Sequence, residues 1–219
     1  MVLVILVALV FGYMLKQGFG NNLRQHSVKI KGSPQTLSIF FISDTHNRKI
    51  TKQFLKKLKG KVDVVIIGGD FADKRTSMAK LHANIKLLTE LAPTYFVWGN
   101  NDREIGESQM IDALKKHHVH ILCNEHVIIN KEINPVRLCG IDFNESDTNI
   151  MKALGERISY EPLIFVSHNP EQFKTVLTMA KPALMLSGHY HGGQIRLGRF
   201  GIHPNGSFRK MQGRSRYCG

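Results

Sequence analysis

The chain is short of cysteine, of acidic residues and of long apolar runs, and each shortage narrows what it can be. Three cysteines in 219 residues cannot form a disulfide framework. Cys123 and Cys139 lie in apolar segments and read as small core residues, while Cys218 reads as a free thiol close to the end. Asp and Glu number 17 against 30 Lys and Arg, so the formal net charge is +13 and anionic partners are expected. No acid precedes Asp44 and none follows Glu171. No apolar run reaches the roughly 20 residues of a full membrane span. The longest, residues 2–15, would make a helix of about 21 Å against a hydrocarbon core of roughly 30 Å. Basic residues do not precede it and no small-residue cleavage site follows it, so a cleaved secretory signal is disfavoured. Lys16, Arg24, Lys29 and Lys31 follow instead. The segment therefore reads as an uncleaved membrane anchor, with the rest of the chain on the cytoplasmic face and its basic residues against an anionic membrane surface. Nucleic acid is the competing anionic partner, but no nucleic-acid-binding motif is present.

What is there divides simply. Residues 1–20 are the expected anchor, 21–35 a basic linker, and 36–219 a single domain with enough apolar content for a core. Apolar, β-branched or aromatic runs at 37–42, 62–67, 95–98 and 163–166 read as buried strands. Helical patterns lie between them, at 52–58, 77–91, 108–117 and 149–154. Met78, Leu81, Ile85, Leu88 and Leu91 recur at three and four residues, the stripe of an amphipathic helix. Alternating strands and helices predict an α/β fold.

Each strand runs into polar residues able to bind metal. Asp44 and His46 follow the first, Asp70 the second, Asn100 the third and His168 the fourth, with His189 and His191 in a later Gly-His-Tyr-His-Gly segment. Open α/β folds gather their sites at such strand ends. Two carboxylates, four imidazoles and one amide carbonyl form a mixed N/O set that suits Mn, Fe or Zn better than Ca or Mg. Seven donors are too many for one tetrahedral ion and suit two ions sharing a bridging carboxylate. Pairs of that kind act on phosphoryl groups.

The series D-x-H, G-G-D, G-N-x-D, S-H-N and G-H-x-H-G-G-Q, from about Leu37 to Gln194, resembles the calcineurin-like metallophosphoesterase family, and most closely its bacterial membrane-associated members. The resemblance implies a four-layer α/β/β/α sandwich with metals at the C-terminal edge of the strands. It implies that Asp44, His46 and His191 hold one ion, that Asn100, His168 and His189 hold the other, and that Asp70 bridges them. The reaction it implies is in-line attack of metal-bound hydroxide on a phosphodiester or pyrophosphate link, with a nucleotide-linked lipid as an expected substrate. A nuclease of the same superfamily and a non-catalytic metal-binding scaffold are the alternatives. The family commonly has His where this chain has Asn101, and an amide cannot deliver a proton near pH 7. A preference for good leaving groups follows, with Asp102 expected to orient Asn101. Members of this kind usually continue well beyond the last motif, whereas residues 195–219 remain here, so terminal strands of the second sheet are expected to be short.

Other groups read more plainly. Asp73, Lys74 and Arg75 fall in the loop after Asp70, with Arg75 within reach of a substrate. Residues 115–120 read as the end of a solvated helix and the start of a strand, and Asp142 as a turn or supporting residue after another strand.

Overall fold

The computed structural model describes residues 5, 10–13, 23–30, 36–129, 135–155, 161–190, 196–197 and 200–201. Two compact units are present: residues 28–189, and residues 1–27 together with 190–219.

In the larger unit the elements run β1 (Ile39–Ile42), α1 (Lys52–Leu55), β2 (Val64–Ile67), α2 (Met78–Thr89), β3 (Thr94–Phe96), a 3-10 turn (Asp102–Ile105) and α3 (Glu107–Lys116). There follow β4 (His120–Ile121), β5 (Glu125–Ile129), β6 (Val136–Ile141), α4 (Asp147–Leu154), β7 (Leu163–Ser167), α5 (Gln172–Met179) and β8 (Leu184–Leu186). Strands β1 to β4 pair in parallel in that order. A second sheet runs β5-β6-β7-β8, with β5 antiparallel to β6 and the rest parallel. The smaller unit contains the antiparallel pair β9 (Arg196–Leu197) and β10 (Phe200–Gly201).

Strand alternation builds the layers. On β2, Val65 and Ile67 join a core with Leu81, Ile85 and Leu88 of α2 and Met110, Ala113 and Leu114 of α3. The intervening Val64 and Ile66 face the other way and join Leu138, Ile164, Val166 and Leu186 of the second sheet. Both faces of β2 are thus buried, which is why it reads as a continuous apolar run. On β7, Phe165 turns away from the inter-sheet core and meets Phe173 of α5, ring centroids 6.0 Å apart. Helices therefore cover the outer faces of two facing sheets, the four-layer arrangement that the resemblance implied.

Three of the predicted helices form within a few residues of their expected bounds. Ser77 and Ser146 cap α2 and α4 by accepting from the amides of Lys80 and Asn149. The segment expected as helix over 52–58 keeps only the turn Lys52–Leu55 and runs through further turns to Gly60, at φ +72°. Residues 115–120 close α3 and open β4 as expected. Cys139 is buried, but Cys123 is exposed, which corrects its reading as a core residue. Its segment follows a two-residue strand, and the side chain turns toward Asp142 rather than into either core. The expected anchor lies mostly outside the described residues; residues 5 and 10–13 are helical. Among the described residues no helix is long and apolar enough to cross a membrane.

Candidate metal centre

Parallel strands bring their C-terminal ends to one edge, and the loops there are tied to one another by backbone. The amide of Gly68 donates to Ile42 O (2.8 Å), that of Asp44 to Gly69 O (3.0 Å) and that of His46 to Asp70 O (3.0 Å). Asp44, His46, Asp70 and His189 all adopt positive φ, between 48° and 74°. Left-handed backbone costs a residue with a Cβ on the order of 1 kcal/mol and gathers where a site fixes it. Glycine permits the close approach. A Cβ on Gly188 would stand 2.5 Å from Asp44 Oδ2, and one on Gly99 would collide with the backbone nitrogen and carboxylate of Asp70.

His168 joins the two sheets. Its Nδ1 lies 2.8 Å from Gly68 O, and a carbonyl only accepts, so Nδ1 carries the hydrogen. Nε2 is then the free ring position. It is buried, lacks a hydrogen-bond partner, and stands 3.3 Å from Asp70 Oδ2 and 3.9 Å from Asp44 Oδ1. A lone pair facing two carboxylates in the interior is unfavourable unless a cation lies among them. In the absence of metal a proton can serve. Burial works against the protonated ring, but Asp70 and Asp44 outweigh it and raise the His168 pKa. Burial likewise works to raise the Asp70 carboxyl, and His168 and Asn101 outweigh it, holding it at about 2. Asp44, Asp70 and His168 each offer an atom within 4.8 Å of the others'. This donor set fits a divalent cation.

The remaining predicted ligands can be placed in turn. His46 Nε2 is 3.9 Å from Asp70 Oδ2. The His46 carbonyl accepts from Thr76 Oγ1 (3.2 Å), and the loop beyond it is pinned to α2 by buried Asn84, which accepts from the Ile50 amide and donates to Arg48 O. His189 donates its amide to Asp44 (3.1 and 3.2 Å to the two oxygens), and its Nδ1 is 3.0 Å from Asn100 Oδ1. His191 lies outside the described residues.

Asn101 turns to Asp70, and Asp102 is placed differently from expectation. Asn101 donates to Asp70 twice, from its backbone (2.8 Å to Oδ1) and from Nδ2 (2.7 Å to Oδ2). Asp102 is fully buried and accepts from four backbone amides: Asp70 (2.8 Å), Phe71 (2.7 Å), Ala72 (3.0 Å) and Gly99 (2.7 Å). Burial, helped by the Asp70 charge, pushes its carboxyl up to about 6 against the pull of the Gly99, Ala72 and Asp70 amides, and its four partners are all donors, as a carboxylate requires. Its bonds go to the Asp70 loop rather than to the Asn101 amide, which corrects the orienting role expected of it.

Three supporting residues escaped the sequence reading or were left open by it. Phe143 packs against His189 (5.2 Å between centroids) and His168 (5.9 Å). Asp142, just before it, takes a two-pronged bond from Arg103 (3.0 Å from Nη1 and 2.5 Å from Nη2), which clips the β3 loop of one sheet to the β6 end of the other. Asp73 Oδ2 lies 3.5 Å from His46 Nδ1. The Gly-Ile-Asp-Phe segment was a signal for the first two, since it ends an apolar strand, but which sheet edge it met was not readable locally.

Comparison with known proteins bears on what this edge does. A family model described as a calcineurin-like phosphoesterase superfamily domain matches residues 37–198. The uncharacterized protein YpbG of Bacillus subtilis (strain 168) is 36% identical over 211 residues, covering 94% of this chain and 81% of that protein. Phosphodiesterase YaeI of Escherichia coli (strain K12) is 27% identical over 201 residues, covering 85% of this chain and 73% of that protein. Among solved structures, a 5'-nucleotidase precursor from Thermus thermophilus shares the fold, with a TM-score of 0.54 at 13% identity over 71% of this chain and 42% of that one.

Proposed function

The chain belongs to the calcineurin-like phosphoesterase superfamily and is a metallophosphoesterase, and from that premise we propose that it is a two-metal phosphodiesterase or pyrophosphatase. Asp44, His46 and His191 would hold one ion, Asn100, His168 and His189 the other, and Asp70 would bridge them. The mixed N/O donor set favours Mn, Fe or Zn. Bound there, divalent ions would polarise a phosphoryl oxygen and lower the pKa of water to near neutrality. The observation that carries the reading is the buried His168 Nε2, facing Asp44 and Asp70 without a hydrogen-bond partner.

The chain's own residues set the rest. The Gly68 carbonyl fixes the His168 tautomer, leaving Nε2 as the donor atom. Asn101 holds the Asp70 carboxylate with two hydrogen bonds and has no proton to give a leaving group near pH 7. Substrates that depart without protonation are therefore favoured, such as aryl esters and the phosphate of a pyrophosphate link. The apolar segment 2–15 and the net charge of +13 support a catalytic domain held at the cytoplasmic face of an anionic membrane, where a nucleotide-linked lipid is the substrate.

The test is hydrolysis by the full chain with Mn²⁺, comparing a bis-aryl phosphodiester with an aryl phosphomonoester, and Asp70→Ala as control. Metal-dependent diester cleavage that the control lacks is the expected result. A folded, metal-loaded protein that turns over neither ester would refute the reading and leave a non-catalytic scaffold.

A further inference from the structure

Beside the metal centre lies a cleft of about 250 Å³ lined by His46, Asp73, Lys74, Arg75, Asn101 and Glu104. It opens onto the reacting edge, since His46 is a candidate ligand and Asn101 is bonded to Asp70. It is smaller than the roughly 300–1,000 Å³ of sites that enclose a drug-sized ligand. A single tetrahedral anionic group suits it better than a sugar or a base.

Arg75 is fixed at its rim. Nε lies 3.2 and 3.3 Å from the two oxygens of Asp73, Nη2 lies 2.5 Å from Oδ2, and the Arg75 amide donates to Oδ1 at 2.9 Å. Asp73 is itself buried; its amide donates to Thr76 Oγ1 (3.1 Å) and its Oδ2 faces His46 Nδ1 (3.5 Å). The pair engages Nε and Nη2 and leaves the Nη1 edge of a side chain that is 67% exposed. An arginine held along one edge presents the other with little rotamer freedom left to lose, and a guanidinium edge matches phosphoryl oxygens. Lys74 adds an ammonium, and its amide holds Glu104 Oε2 at 3.2 Å. Lys74 and Arg75 against Asp73 and Glu104 leave the rim with no net charge. Recognition there depends on directed donors rather than on bulk attraction.

We propose that this cleft is a second phosphate subsite, in which Arg75 Nη1 and Lys74 receive a phosphoryl group adjacent to the one at the metals, so that the protein selects diphosphate-linked over single-phosphate substrates. The inference rests on the phosphoesterase reading of the metal centre and adds the substrate class. Asp73 is a positioning residue in it, fixing Arg75 on one side and His46 on the other.

The test is binding, which needs no turnover. Dissociation constants of UDP and UMP are measured on the Mn²⁺-loaded full chain, for the wild type, Arg75→Ala and Arg75→Lys, with metal content determined for each. Inorganic pyrophosphate and phosphate form a second pair that separates the paired phosphoryl groups from the nucleoside. The wild type should favour the diphosphate of each pair by about 10- to 100-fold, the size of a charge-assisted hydrogen bond. Arg75→Ala should bring the ratio to within about threefold of unity at unchanged metal content, with Arg75→Lys between. A wild-type ratio near unity, a ratio preserved in Arg75→Ala, or metal lost with Arg75 would each overturn the proposal. Failure of ester hydrolysis tells instead against the reading of the metal centre.

Discussion

Replacing Asp102 with Asn sets two large effects against each other. The carboxylate is fully buried, and each oxygen accepts two backbone amides: Oδ1 those of Phe71 and Ala72, Oδ2 those of Asp70 and Gly99. Asn has nearly the same shape and no charge, but one of its two ends is a donor. Whichever way the amide is turned, two backbone N–H groups lose their acceptor and face another N–H. Two hydrogen bonds to a charged acceptor are worth about 1.5–3 kcal/mol each. Removing a buried charge returns part of this, so the net loss should be about 2–4 kcal/mol. Urea unfolding of the metal-free chain at pH 7 measures it. With a slope of about 2–3 kcal/mol/M the midpoint should fall by roughly 1 M. The amides concerned belong to Asp70 and to Gly99, whose loop carries Asn100, so metal retained after dialysis should fall in parallel. Relief of the buried charge, which raises this carboxyl to about 6, works the other way; if it outweighed the two amides left without an acceptor, the neutral isostere would be at least as stable as the wild type. An unchanged or raised midpoint would refute the reasoning. A fall in turnover alone would restore the role of orienting Asn101.

Three further outcomes are expected. The Asp70 carboxyl is depressed in the folded state, to about 2 from 3.8, so its ionised form contributes about 2 kcal/mol above pH 4. That contribution is lost as pH falls from about 4 toward 2, and the urea-midpoint gap between wild type and Asp70→Asn should close over that window; a gap constant with pH would contradict it. Gly99→Ala drives a Cβ into the Asp70 backbone and carboxylate, and should cost about 1–3 kcal/mol with metal retention reduced on elemental analysis; full retention would show that the loop gives way freely. Asp142→Ala deprives Arg103 of its two-pronged partner between the sheets and should cost about 1–3 kcal/mol, a thermal midpoint lower by several degrees. Combined with Arg103→Ala the losses should be less than additive, and strict additivity would mean that the clip couples nothing.

The runs that became β1, β2, β3 and β7 were legible in the sequence, β2 and β7 most clearly because they are buried on both faces and leave near-continuous apolar runs, whereas the order of strands in the sheets was not. Short strands were less legible. A two-residue strand such as His120–Ile121 has no periodicity of its own and exists because Tyr95 and Phe96 beside it need a partner. Cys123 shows the limit of reading burial from neighbours, since Ile121 and Leu122 precede it and yet its side chain faces solvent and Asp142.

The sequence by itself determined the chemistry at the strand ends: which side chains could bind a metal, and their order. Side-chain type and chain spacing are local properties, and they sufficed to mark Asp44, Asp70 and His168. Tertiary structure alone decided how those groups are supported. Nothing near Asp102 in the chain says that its carboxylate will meet amides about thirty residues away, or that Asp73 will stand between His46 and Arg75. The His168 tautomer, likewise, is set by a carbonyl one hundred residues distant, on the other sheet. Hydrogen bonds depend on distance and direction in space, and across two sheets those are fixed by packing, which no local pattern encodes.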